Sequence, residues 1–170
     1  MRILSIDTNF SDYKKVVLKV SMPNCSFKCC TDLDLPKSTC ANYPMHGFGV
    51  EMKGSSDVLS YYDPSIHNGI LLGGLEPFDS FKDMREILKA FVCKYPNDDI
   101  VIYSGYKYIE IQERVIDLLS DLYVVGDNTV FIKFGRYMPN KPSYQNEQLG
   151  VELASDNQYV KTYILSDLFM

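Results

Sequence analysis

The sequence predicts an α/β fold with a largely parallel sheet, and three segments carry that prediction. Residues 15–22 alternate, with Val16, Leu18, Val20 and Met22 on one face and Val17, Lys19 and Ser21 on the other, the period-2 pattern of a strand. Gly69-Ile70-Leu71-Leu72-Gly73-Gly74 is a short buried strand ending in glycines, and Phe81, Met84, Ile87, Leu88, Phe91 and Val92 follow it at helical spacing. Residues 99–103 form a third strand, and after Ser104-Gly105-Tyr106 a helix spans 109–122 with its apolar side at Ile111, Val115, Leu118 and Leu119. Strand alternating with helix is the signature of βα units.

The remaining elements follow from local chemistry. Pro23-Asn24 ends the first strand, so the segment beyond it is a loop at a strand's C-terminal end, where α/β folds bind ligands. Residues 43–67 are less regular, with a short helix over 56–62. Asp79 or Ser80 is the N-cap of the helix after the glycine strand, and Pro96-Asn97-Asp98 closes it. Residues 123–125, 129–134 and 159–165 read as further strands. No repeat, low-complexity tract or linker divides the chain. Its 170 residues match one domain of ~100–200 residues, so 1–170 is expected to fold as a unit.

Composition narrows the function classes. With 46% hydrophobic and 23% charged residues the chain reads as an ordinary globular protein. No apolar run approaches the ~20 residues of a membrane span, and Met1-Arg2-Ile3-Leu4-Ser5-Ile6 is too short for a signal peptide before Asp7. A net charge of −5 disfavours capture of nucleic acid. The five cysteines, Cys25, Cys29, Cys30, Cys40 and Cys93, are odd in number and argue for a reducing cytoplasm rather than a disulfide framework.

Four of those cysteines fall within sixteen residues, on the loop after the first strand. Clustered thiolates hold a soft metal or an iron–sulfur cluster. Cys25 and Cys29 are separated by three residues, a span that a looped backbone closes around one cluster. Cys29 and Cys30 are adjacent and their side chains diverge, whereas Cys40 lies ten residues beyond Cys30, with Pro36 folding that insertion back. Two other readings stay open: a zinc site of Cys25, Cys29 or Cys30, and Cys40, with His46 as fourth ligand, or plain packing of small buried thiols. Gly73-Gly74-Leu75-Glu76-Pro77 is the second candidate. Its glycines let backbone approach a ligand, and Glu76 offers a carboxylate to an ammonium group; a tight turn that binds nothing is the alternative.

Together the two segments resemble the radical S-adenosylmethionine enzymes, in which a three-cysteine loop after the first barrel strand binds a [4Fe–4S] cluster and a Gly-Gly-Glu-Pro segment contacts the amino group of S-adenosylmethionine. Within that superfamily the chain is most similar to the activating proteins of anaerobic ribonucleotide reductase. Ser104-Gly105-Tyr106 looks like their Thr/Ser-Gly-Tyr, Ser155-Asp156-Asn157-Gln158 like their Ser-Asn-Gln, and Cys40-Ala41-Asn42 like the Cys-His-Asn of the third ligand. The resemblance covers nearly the whole chain in the family's order. Four departures stand out. Asp32 occupies the family's usual third-cysteine position, which leaves Cys40, or alternatively Cys30, as the third ligand. Thr39 replaces an aromatic residue, Leu75 interrupts the Gly-Gly-Glu run, and Lys133-Phe134-Gly135-Arg136 stands where relatives carry an acidic Asp-Gly segment.

The resemblance implies an oxidoreductase with a partial, open (βα) barrel, since a full eight-unit barrel needs at least ~200 residues. It implies Cys25, Cys29 and Cys40 as cluster ligands and Gly73, Gly74, Glu76, Pro77, Ser104, Tyr106 and Asn157 as the cofactor-binding set. No catalytic residue is expected beyond the cluster and S-adenosylmethionine. The expected partners are a flavodoxin or ferredoxin reductant and a large glycyl-radical protein, anaerobic ribonucleotide reductase, whose glycine loop enters the open side; no nucleic acid or membrane is expected. A small-heterocycle enzyme resembling 7-carboxy-7-deazaguanine synthase, and a non-catalytic zinc- or cluster-stabilised interaction module, are the alternatives. Cys93 reads as a core or surface thiol, His46 and His67 as surface or loop residues, and Arg136-Tyr137-Met138-Pro139 with Lys141 as a lip for a partner or a solvated loop.

Overall fold

A computed structural model describes residues 1–123 and 127–168. In chain order the strands are β1 Arg2–Ile3, β2 Ser5–Asn9, β3 Val17–Met22, β4 Glu51–Met52, β5 Gly69–Gly74, β6 Asp99–Tyr103, β7 Thr129–Phe134, β8 Tyr144–Asn146, β9 Val151–Leu153 and β10 Tyr159–Ile164. The helices are α1 Lys28–Thr31, α2 Ser55–Leu59, α3 Phe81–Lys94 and α4 Tyr108–Tyr123, the last bent at Ile111. Short 3-10 turns at Lys37–Thr39, Tyr43–Met45, Pro77–Ser80 and Leu165–Asp167 complete them.

Six strands form the central sheet in the order β10-β7-β6-β5-β3-β2. The inner four, β3, β5, β6 and β7, are parallel and adjacent in chain order, and β2 and β10 flank them antiparallel. This is a mixed α/β fold with a largely parallel sheet whose edges, β2 and β10, are not paired to each other. Pairs β1–β4 and β8–β9 stand apart as two-stranded sheets.

The strand alternation assigns the two faces. Leu18, Val20 and Met22 of β3, Ile70 and Leu72 of β5, Ile100 and Ile102 of β6, and Val130, Ile132 and Phe134 of β7 join Met84, Ile87, Leu88, Phe91 and Val92 of α3 and Val115, Leu118 and Leu122 of α4 in one buried core. Residues one position away face the opposite side. There Val17, Leu71, Val101 and Phe131 pack with Tyr13, Leu149 and Leu153, so the segment carrying β8 and β9 covers the N-terminal half of that face. The C-terminal half is left to line a cleft.

Two local expectations are corrected. Tyr123 closes α4 rather than opening a strand, because α4 continues one turn past Leu119 to bury Leu122; residues 124–125 of that expected strand lie outside the described residues. Ser80 precedes α3 but its side chain caps nothing; the 3-10 turn at Pro77–Ser80 leads into the helix, and Glu76 accepts from the Phe78 N–H at its start. Among the described residues no helix is long and apolar enough to cross a membrane.

Candidate iron–sulfur site

β3 delivers the cysteine loop to the end of the sheet. Its last residue, Met22, pairs with Gly74, and the two chains run on together: Leu75 N–H donates to the Met22 carbonyl (3.1 Å) and Glu76 N–H to that of Asn24 (2.9 Å). Gly74 is needed at this crossing. Its φ is +79°, and a Cβ there would stand 2.8 Å from the Ser21 side chain and 3.0 Å from its Cα. The interrupting Leu75 is absorbed beside this kink, buried, and Glu76 still reaches the cleft.

Cys25, Cys29 and Cys40 are half-buried and Cys30 is buried. All four line one cleft of about 900 Å3 together with Gly73, Gly74, Glu76, Ser104, Gly105 and Lys133. Cys29 and Cys30 share the single turn of α1, their sulfurs 4.0 Å apart. Cys40 is returned to the cleft by the 3-10 turn that Pro36 opens. Burial pushes the Cys25 thiol up to about 11, helped by the charges of Glu76, Asp79 and Cys40. Burial and the neighbouring Cys30, Cys25 and Cys40 take Cys29 to about 12. A cation in the cleft reverses that penalty, since metal binding draws the proton off a thiol.

Glu76 is the most buried carboxyl of the site. Its Oε1 accepts from Phe78 N–H (3.1 Å) and Ser104 Oγ (2.9 Å), and its Oε2 from Gly105 N–H (2.8 Å). Burial outweighs these donors and raises the carboxyl to about 7. A carboxylate has room for about four donors, so Oε2 keeps acceptor capacity for an ammonium group. Gly105 holds the two chemistries together: a Cβ on it would be 3.6 Å from Glu76 Oε2 and 3.7 Å from Cys29 Sγ.

Other expected residues stand behind the lining. Pro77 is buried in its 3-10 turn. Tyr106 borders a smaller recess with Cys25, Cys29 and Glu76, its hydroxyl donating to Asp79 (2.7 Å) and hydrogen-bonded with Ser26 Oγ (3.0 Å). Asn157 is absent from the lining and donates through Nδ2 to the Arg136 carbonyl (2.8 Å), whereas Gln158 does line the cleft. Arg136, expected on a lip, is instead buried, because it pairs with Glu110 and Asp32; Tyr137 alone of that segment combines exposure with a place at the cleft. His67 lies in a loop but is buried, bonded to Thr8 and Asp63. His46, fourth ligand of the zinc alternative, stacks on Tyr43 and meets Phe27 edge-on, and is not among the cleft residues. Cys93 is exposed on α3.

Lys133 is the buried cation among the lining residues that sequence reasoning passed over as site residues. Its Nζ donates to the carbonyls of Gly135 (3.1 Å) and Ser104 (3.3 Å), and burial lowers it to about 8 against the opposing charges of Glu76, Cys29 and Cys40. The available signal was its place in β7, two residues after Phe131 and so on the same face.

The chain matches the family described as the 4Fe-4S single cluster domain over residues 16–156, and it belongs to that family. No curated protein and no solved structure matches it. The donor set suits such a cluster: four soft thiols converge on one cleft beside the buried Lys133. Among the described residues no three His, Cys, Asp or Glu side chains are gathered tightly enough for a single metal ion. A four-iron cluster gives each thiolate its own iron, a wider arrangement than the ~2.3 Å bonds to one zinc permit.

Proposed function

We propose that the protein is a radical S-adenosylmethionine enzyme that activates a large glycyl-radical protein, anaerobic ribonucleotide reductase, in the cytoplasm. The observation carrying this reading is the convergence of Cys25, Cys29 and Cys40 with Gly73, Gly74 and Glu76 on one cleft at the C-terminal ends of parallel strands. A bound cluster, given one electron by a flavodoxin or ferredoxin, would supply the reductive cleavage of S-adenosylmethionine, the 5′-deoxyadenosyl radical chemistry by which a hydrogen atom would be taken from a glycine Cα of the partner.

The chain's own groups bind and orient. Cys25, Cys29 and Cys40, as thiolates, would hold the cluster. Glu76 receives the amino group on the free side of Oε2, the Gly73-Gly74 backbone gives close approach, and Ser104 fixes the carboxylate. Pro77, Tyr106 and Asn157 shape the site from behind: Tyr106 ties the cysteine loop to Asp79, and Asn157 holds the segment after β7. Residues 1–170 act as one domain, and the sheet is an arc of an open barrel with α2, α3 and α4 on its outer side. The half of the inner face that the β8–β9 segment does not cover is left for a protein loop.

Protein reconstituted anaerobically with iron and sulfide is expected to be brown, to cleave S-adenosylmethionine, and to raise a glycyl-radical signal in electron paramagnetic resonance with the reductase. Cys25→Ser, Cys29→Ser and Cys40→Ser each lose the cluster; Cys93→Ser keeps it. A colourless zinc protein sinks the reading, and cleavage without a glycyl signal sinks the activase assignment. Cluster loss in Cys30→Ser with retention in Cys40→Ser moves the third ligand to Cys30.

A further inference from the structure

α1 is a single turn of four residues, begun at Phe27 in the left-handed conformation (φ 55°) with no side-chain cap. One turn does not pay for its own nucleation, so tertiary bonds must hold it. On its N-terminal side, Ser26 N–H donates to Asp79 Oδ2 (2.6 Å) and Ser26 Oγ meets Tyr106 (3.0 Å). On its C-terminal side stands Asp32, paired with Lys28 (2.8 Å) and with Arg136.

Arg136 differs from an ordinary surface partner. Its side chain is 4% exposed, and its Nη1 and Nη2 fork the two oxygens of Glu110, each at 2.7 Å, leaving Nη2 to reach Asp32 as well. The backbone beneath it is held from three sides. The Arg136 carbonyl accepts from Asn157 Nδ2 (2.8 Å), and Gly135 N–H donates to the Tyr106 carbonyl (2.9 Å). Gly135, at φ +104°, sits where a Cβ would be 3.0 Å from the Asn157 carbonyl oxygen. Two cations and two carboxylates, Lys28, Arg136, Asp32 and Glu110, thus balance at the junction of the cysteine loop, α4 and β7. Arg136 and Glu110 belong to the sheet–helix frame; Asp32 and Lys28 belong to the loop.

We infer that Arg136 is the positioning residue of the cysteine loop: its grip on Asp32 fixes the turn that carries Cys29 and Cys30. Its effect on cluster retention rests on the cysteine ligation proposed above, whereas its effect on the loop does not. A second consequence concerns the residue types. A cation after β7 and a carboxylate at position 32 are one device, joined across 104 residues of chain.

Hydrogen exchange on the iron-free protein tests the loop directly, because the amides of Cys30, Thr31, Asp32, Leu33 and Leu35 all donate to carbonyls within it. Asp32→Asn, which leaves the Arg136–Glu110 fork intact, is expected to speed exchange at these amides about tenfold, with β6 amides unchanged, as loss of one charge-assisted bond allows. Arg136→Gln does the same, and the double variant exchanges no faster than the single ones. In reconstituted protein both variants release iron to a chelator about tenfold faster, Asp32→Asn at an unchanged denaturant midpoint and Arg136→Gln at a lower one because it also breaks the buried fork to Glu110. Arg136→Lys, which cannot fork Glu110 and hold Asp32 together, falls between in its release rate. Wild-type exchange in Asp32→Asn, or effects that multiply in the double variant, overturns the inference. A loosened loop in a protein that never takes up iron keeps the clamp and overturns the cluster reading instead.

Discussion

Glu76 and Lys133 face the same cleft with opposite titration logic. Burial lifts Glu76 to about 7, so between its ordinary value of 4.5 and 7 the folded protein holds a proton that the unfolded chain has released. Stability of the iron-free protein therefore falls as pH rises through that window. Lys133 is lowered from 10.5 to about 8, so from pH 8 to 10.5 the unfolded chain keeps a proton that the folded protein has lost, and stability rises with pH there. Denaturant midpoints measured from pH 4.5 to 10 are expected to show each contribution as a difference from its variant, the acidic one against Glu76→Gln and the alkaline one against Lys133→Met. The raised Cys25 and Cys29 thiols superimpose a fall above about pH 9 in all three proteins. If the proposed function holds, Glu76→Gln is also expected to weaken binding of S-adenosylmethionine, about tenfold or more, by replacing a charge-assisted acceptor with a neutral one. The pattern Gly-Gly-x-Glu-Pro made Glu76 legible as an ammonium acceptor. Its burial was not legible, because Ser104 and Gly105, which cover it, lie on a different strand end.

At the scale of elements, legibility tracked periodicity. β5, β6 and β7 emerge as short apolar runs because both their faces are buried, and α3 and the body of α4 emerge from helical spacing because each buries one face along its length. α1, β1, β4, β8 and β9 run for two to four residues, too short to show a period, and form because the surrounding chain holds them. α3 supplies a clear test of the first kind. Phe91 is fully buried, its ring 5.3 Å from those of both Tyr62 and Tyr95, so Phe91→Ala is expected to cost about 3–5 kcal/mol in chemical denaturation. Ile116→Ala on the outer side of α4, half exposed, is expected to stay within about 0.5 kcal/mol.

At the scale of the whole molecule, helices on one face and a half-covered opposite face leave the cleft where the strands end. Tyr13, Leu149 and Leu153 close the lower half, and the upper half presents Gly73, Lys133 and the cysteines. Because a bound cluster would tie the cysteines of the loop to one another across that cleft, cluster loading is expected to be linked to folding. Loaded protein is expected to melt several degrees above the iron-free form in anaerobic thermal denaturation, a gap that Cys29→Ser abolishes.

Sequence by itself determined the order of the longer strands and helices, the two faces of β3, the place of the cysteines beyond a strand end and the Gly-Gly-x-Glu turn, because these depend on neighbours a few residues apart. Tertiary structure alone decided what meets what. It set Glu76 against Ser104 and Gly105, buried Lys133 beside the cysteines, turned Asn157 to the backbone after β7, and drew Arg136 inward to Asp32 across 104 residues of chain. Such partners are chosen by the sheet order and the cleft it leaves open, and no local pattern encodes that geometry.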